Sequence, residues 1–240
     1  ELTKYAANTF LATKITFINE IADLCERVGA DVQDVAKGIG LDGRIGGKFL
    51  HAGPGFGGSC FPKDTQALVR TAQSAGSPIR IIEAVVAVNE ARKKNIAAKI
   101  IAACGGNVDG KTVAVLGLTF KPDTDDMRDA PSLDIVPALR AGGADIRVYD
   151  PHGMDEARKF LDGVTWCEDA YDAAAGADDS VARNDDRDGV RGAGAADGPG
   201  CAHESVGDVA IGSSTAIGDA EHLTPNGALK SGPRRVQGQV

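Results

Sequence analysis

From Leu2 to about Val28 the chain carries neither Pro nor Gly, and apolar positions recur at Phe10, Leu11, Ile15, Ile18, Ile21, Ala22 and Cys25. Spacing by threes and fours is that of a helix with one apolar stripe. Gly29 ends the run, and Asp31 is placed to cap a short second helix reaching towards Lys37. Over residues 38 to 61 the period is lost. Gly38, Gly40, Gly43, Gly46, Gly47, Gly53, Gly55, Gly57 and Gly58 make regular structure unfavourable and let backbone approach a ligand closely. Pro62 and Pro78 suit the first turn of a helix, so helices are expected from Pro62 to about Ser74 and from Ser77-Pro78 to about Cys104.

After Gly110 the period switches. Thr112 to Leu118 (TVAVLGL) is a continuous apolar run of strand length, and Asp145 to Tyr149 (DIRVY) reads as a second strand. Helices are expected at Pro131 to Leu139 and Met154 to Leu161, with a short strand at Val164 to Cys167. Strand alternating with helix marks a parallel sheet. The fold class is therefore an all-α unit with one long helix, then an α/β unit, joined near residues 105 to 111. Beyond about Gly176 the pattern fails: no aromatic residue occurs from Asp172 to the end, and Gly, Asp, Ala and Arg dominate. Such a stretch buries too little apolar surface to offset its ordering entropy. Either it is a natural disordered tail or the codons past about residue 177 are read in a shifted frame. The abrupt break in mid-fold favours the shift. The expected division is 1–108, 109–176 as an incomplete α/β unit, and an aberrant tail over 177–240.

A net charge of −8 argues against a nucleic-acid partner, and no apolar run approaches the ~20 residues that span a bilayer. The first residues lack both an initiator Met and the layout of a signal peptide, so the chain is expected to begin inside a longer protein. Five cysteines, none spaced as a zinc knuckle or redox pair, suit a reducing cytoplasm and offer no metal site. Cys25 and Cys104 sit in apolar helical stretches as small hydrophobes.

Cys60 differs. It lies in GPGFGGSCFPKD, after Gly57-Gly58-Ser59 and two residues before Pro62, and so at a helix start. Free N–H groups and partial positive charge there favour the nucleophilic thiolate. Lys63 adds charge, and Asp64 could act as a base or orient a water. Lys4 and Asn8, spaced i and i+4, share one face of the long helix and could stabilise a developing oxyanion.

Three stretches, ELTKYAANTFLATKITFINEIADLCE, RIGGKFLHAGPGFGGSCFPKD and LGLTFKPDTDDMRDAPS, closely resemble signature segments of the UDP-glucose/GDP-mannose dehydrogenase family. The resemblance covers roughly residues 1 to 176 in the family's order and spacing. FPKD after the Cys, and the wording of the long helix, look most like the members that oxidise UDP-glucose. It implies that residues 1 to about 105 are a central helical part forming a homodimer through the long helix. Residues from about 112 would open a Rossmann-like part that binds the nucleotide sugar. The family's NAD-binding Rossmann part is not among these residues, where no G-x-G-x-x-G follows a strand.

The implied activity is oxidation of UDP-glucose to UDP-glucuronate with NAD, feeding polysaccharide synthesis. Cys60 would add to the intermediate aldehyde and carry a thiohemiacetal, then a thioester. By resemblance Lys4 would stabilise the oxyanion, Asn8 would assist, and Asp64 would position or activate the hydrolytic water. Lys63 and Arg128 would reach NAD, and Phe120 and Lys121 the uridine nucleotide. Arg44 would extend into the partner subunit's site. Phe49, Leu50, Phe56 and Gly57 would form the sugar-side loop, with Phe56 packing rather than specifying. A GDP-mannose dehydrogenase, and a non-catalytic dimerisation module, are the alternatives.

Overall fold

The computed structural model describes residues 1–183, 204–206 and 209–213. Four helices come first: α1 (Leu2–Val28), α2 (Val32–Gly40), α3 (Phe61–Ser74) and α4 (Arg80–Ala103). Nothing in α1 interrupts the backbone ladder until Gly29, whose φ of 71° turns its N–H back onto the Cys25 carbonyl. Asp31 caps α2 by accepting the Gln33 N–H at 2.7 Å. α2 continues past Lys37 to Gly40, so Gly38 and Gly40 are helical rather than part of the loop. α1 packs on α2, α3 and α4, burying Ala12, Ile18 and Ala22. Its outer side leaves Phe10, Phe17 and Leu24, seven residues apart, at least half exposed.

The second half is a sheet of order β3-β2-β1-β4-β6-β5. β1 (Thr112–Leu116) lies parallel between β2 (Asp145–Tyr149) and β4 (Asp179–Arg183), with Val115 opposite both Val148 and Val181. β3 (Thr165–Trp166) extends the parallel set, while β6 (Val209–Ser213) runs antiparallel to β4 and β5 (Glu204–Val206) antiparallel to β6. Helices α5 (Ser132–Ala141), α6 (Met154–Ala157) and α7 (Ala170–Ala174) connect the parallel strands. This helical region followed by a parallel-sheet α/β region is the architecture the periodicities indicate.

Val113, Val115, Ile146, Val148 and Leu139 are buried together, and each such side chain contributes about 1.5–3 kcal/mol. Ile96, Ile100 and Cys104 join the same core. The C-terminal half of α4 therefore belongs to the sheet's core, although its N-terminal half packs with the other helices. Burial pushes the Cys104 thiol up to about 12, which suits the inert role expected of it.

β4 corrects the expectation that regular structure stops near residue 176. Only Val181 need supply a large apolar side chain, facing Val115, while Asp179 answers Lys111 at 3.4 Å. Backbone ladders to β1 and β6 do the rest, where periodicity sought a run of apolar residues. Residues 184–203, 207–208 and 214–240, and the expected aberrant tail with them, lie outside the described residues. No described helix is long and apolar enough to cross a membrane.

Candidate active site

The loop from Gly53 to Cys60 has no ladder of its own, so its backbone groups are satisfied by side chains of α1 and α4. Asn19 Oδ1 accepts the Gly53 N–H at 2.7 Å, and the Arg92 guanidinium donates to the Gly53 carbonyl. Arg92 is held in turn by the Asn19 carbonyl at 3.1 Å and by Asp23 at 3.0 Å. Asn89 makes a two-way bond to Phe56, accepting its N–H at 2.8 Å and donating to its carbonyl at 3.1 Å. Asn19, Asn89 and Arg92 are all buried, and the sequence reading missed them. The signal was the spacing of Asn89, Arg92 and Lys93, which places three hydrogen-bonding side chains on one stretch of α4 among the buried Val85 and Ile96.

The loop delivers Cys60 to the N-cap of α3, exposed, with Pro62 in the first turn and Ser59 Oγ 3.7 Å from Sγ. Behind it stands Asp64, fully buried. Its Oδ2 accepts from Asn8 Nδ2 at 2.7 Å and faces Lys4 Nζ at 3.3 Å; Oδ1 lies 3.8 Å from Lys63 Nζ. Burial pushes this carboxyl up. The Asn8 and Lys4 hydrogen bonds and the charges of Lys4 and Lys63 outweigh it and hold the group below its ordinary value. The same contact with Asp64 raises Lys4, with a smaller contribution from the Cys60 sulfur. Asp64 Oδ1 receives no hydrogen bond from the protein. The structure thus brings together Cys60, Asp64, Asn8 and Lys4, contributed by α1 and the start of α3.

The facing wall comes from the turn after β1. Asp150, at the end of β2, is buried and accepts from the N–H groups of Leu118, Thr119, His152 and Gly153 at 2.7–3.1 Å. Burial alone would raise this carboxyl, but the backbone donors hold it down. Asp150 thereby fixes the turn carrying Phe120 and Lys121, at the carboxyl end of β1 where the strand order reverses. Phe120 lies against Gly58, and Gly58 N–H donates to the Arg128 carbonyl at 2.7 Å. A Cβ at Gly57 would stand 2.1 Å from the Asp129 carbonyl oxygen.

Between these walls opens a cleft of about 490 Å³, lined by Cys60, Phe49, Phe56, Gly57, Phe120 and Lys121 among others. Phe49 has a φ of 64°, a left-handed conformation that a bulky residue holds only where its surroundings impose it. Phe56 is buried with Ala12 and Val85 and meets Phe61 edge-on. His51 and Ser59 also line the cleft and were not foreseen. Leu50 does not: it is buried with Ile18, Ala22 and Ala52 between α1 and the loop, and its contribution is to the core. Arg44 is exposed outside the cleft, clamped by Asp42 at 2.6 Å. Arg128, paired with Asp126, presents an exposed cation near Cys60, and Lys63 presents one beside Asp64; such charge could hold an anionic cofactor such as NAD.

The central-domain model of the UDP-glucose/GDP-mannose dehydrogenase family matches residues 1–91, and the model of that family's UDP binding domain matches residues 114–188. The chain is 65% identical over 178 residues to the UDP-glucose 6-dehydrogenase of Rhizobium meliloti (strain 1021), covering 74% of this chain and 41% of that one. It is 56% identical over 174 residues to UDP-glucose 6-dehydrogenase TuaD of Bacillus subtilis (strain 168), covering 72% and 38%. A UDP-glucose dehydrogenase structure from the hyperthermophilic archaeon Pyrobaculum islandicum matches with a TM-score of 0.70 at 43% identity, over 74% of this chain and 41% of that one. The chain thus spans about two fifths of the length of the relatives it matches.

Proposed function

The chain belongs to the UDP-glucose/GDP-mannose dehydrogenase family, and on that footing we propose that it supplies the nucleophile and part of the sugar-nucleotide site of an NAD-dependent UDP-glucose 6-dehydrogenase. The observation that carries this reading is an exposed Cys60 at a helix start, backed by a buried Asp64 and opening on a cleft walled by Phe120 and Lys121. NAD, when bound against Lys63 and Arg128, supplies the hydride acceptor for both oxidations.

The chain's own residues divide the remaining work. Cys60 Sγ adds to the C6 aldehyde carbon, forming a C–S bond while the carbonyl oxygen gathers negative charge. Lys4 is cationic at neutral pH, as an ordinary lysine is and the more so for its contact with Asp64, so it stabilises that oxygen rather than taking a proton. Oxidation of the adduct gives a thioester; water then attacks its carbonyl carbon, the C–S bond breaks and the Cys60 thiol is restored. A carboxyl held below its ordinary value is a weak base, so Asp64 serves by orienting the water through Oδ1 rather than by deprotonating it outright. UDP contacts fall to Phe120 and Lys121 at the switch point of the sheet.

Residues 1–108 act in this reading as the central dimerising part and 109–176 as the opening of the UDP-sugar part. The exposed row Phe10, Phe17 and Leu24 supports a homodimer through α1, since such a stripe is unfavourable in water. Arg44, free of the cleft of its own chain, would then serve the partner subunit's site. The four described cysteines are unpaired, as suits a reducing cytoplasm.

Limited alkylation tests the site. Iodoacetamide followed by peptide mass spectrometry is expected to label Cys60 well before the buried Cys25, Cys104 and Cys167. UDP-glucose should slow that labelling at concentrations where GDP-mannose does not. Protection by GDP-mannose at lower concentrations than UDP-glucose would assign the site to the guanosine nucleotide, and protection by neither would remove the substrate reading.

A further inference from the structure

We propose that Lys93 is a positioning residue that fixes the width of the cleft by joining its two walls, an inference that rests on the sugar-nucleotide reading above. Lys93 is 2% exposed, and its ammonium pairs with Glu90 at 2.9 Å and with Asp129 at 3.4 Å. Glu90 is its neighbour on α4, but Asp129 belongs to the turn after β1, so the second pair crosses between the helical and α/β regions. The stem of Lys93 lies under the Cys loop: a Cβ at Gly55, where φ is 122°, would come within 2.9 Å of Lys93 Cγ and 3.1 Å of Asn89 Oδ1. One side chain thus touches the loop that delivers Cys60 and holds the turn that faces it.

The residues around Asp129 show why its placement matters. Its φ of 54° is left-handed, which a non-glycine residue adopts at a cost and retains where a contact enforces it. That conformation presents the Asp129 carbonyl to Gly57 and the Arg128 carbonyl to the Gly58 N–H at 2.7 Å. Releasing Asp129 frees both contacts, and with them the seat of Phe120 on Gly58. Burial opposes a charged Lys93, but Glu90 and Asp129 outweigh it and leave its ammonium raised. The charge is therefore present to act as the tie at neutral pH.

The direct test is Asp129→Asn. Asparagine tolerates the left-handed conformation and keeps the backbone in place, while Lys93 retains Glu90. Cys60 alkylation with iodoacetamide is followed with and without UDP-glucose, well below the melting temperature of each protein. Asp129→Asn is expected to raise the UDP-glucose concentration for half-protection about tenfold, Lys93→Met by more, and Lys93→Arg to return it to within about threefold of the wild type. Half-protection unchanged in Asp129→Asn overturns the proposal even if Lys93→Met unfolds. So does a Lys93→Arg protein that melts like the wild type yet stays as weak as Lys93→Met, because a guanidinium would still bridge the two walls. If the unaltered chain shows no protection by UDP-glucose, it is the sugar-nucleotide reading that fails, and this one falls with it.

Discussion

Gly57→Ala is expected to lower the melting temperature of the chain by about 2–12 °C and to abolish UDP-glucose protection of Cys60. The added Cβ would lie 2.1 Å from the Asp129 carbonyl oxygen and 2.8 Å from its carbon, with the Phe120 Cβ at 3.2 Å. These neighbours are mostly backbone, so a rotamer change cannot relieve the clash. Overpacking of this kind costs about 1–3 kcal/mol, and in a chain of this size each kcal/mol moves the midpoint by roughly 2–4 °C. Relief comes from parting the Cys loop from the turn after β1, and the cleft lies between them. Gly53→Ala is the matched control, because a Cβ there has open space around it. Thermal unfolding read beside Cys60 labelling decides the matter: a Gly57→Ala protein that melts and protects like Gly53→Ala would mean the two walls do not meet in this way.

Asp64→Asn is expected to act on both stability and chemistry. The Asp64 carboxyl is held below its ordinary value, so the folded state binds its proton less readily than the unfolded chain. Its stabilisation is complete above the ordinary carboxylate range, at roughly pH 4, and is lost as pH falls through the lower folded-state value. The Asn variant should therefore be less stable at neutral pH, and its acid unfolding curve should approach that of the wild type below about pH 4. Parallel curves down to pH 2 would show that Asp64 does not carry this linkage. In an enzyme completed by an NAD-binding domain, the same change should slow thioester hydrolysis by about 10²-fold, the cost of a misplaced water. Intact-mass measurement would then find Cys60 carrying the sugar nucleotide during turnover.

How much of this was legible in the sequence depended on whether a residue's part was local. The helix from Leu2 to Val28 and its stop at Gly29 follow from spacing and one left-handed glycine, and both stand in the structure. The gathering of Cys60 and Asp64 follows from one turn of helix, and that of Lys4 and Asn8 from another. Their convergence on one carboxylate needed the resemblance, because nothing local brings residue 8 to residue 64. Asn19, Asn89, Arg92 and Lys93 were passed over for a different reason. Polar side chains on a long helix are ordinarily solvated; here Asn19, Asn89 and Arg92 are buried serving a glycine loop that lacks partners for its own backbone, and Lys93 is buried against the carboxylates of Glu90 and Asp129. Leu50 erred the other way: it neighbours Phe49 in sequence, yet the left-handed turn at Phe49 sends the two side chains to different places. β4 was missed because a strand laddered to β1 and β6 needs fewer apolar residues than the run that periodicity sought.

The placement of the groups has an evolutionary consequence. Everything fitted for bond-making, Lys4, Asn8, Cys60 and Asp64, rides on α1 and the first turn of α3, whereas Phe120 and Lys121 ride on the end of β1. The two sets meet at a seam of glycines that contributes shape but no functional group. On the proposed reading, a lineage could rewrite its choice of base on one bank while the reaction on the other is inherited unchanged, provided that the seam itself stays narrow.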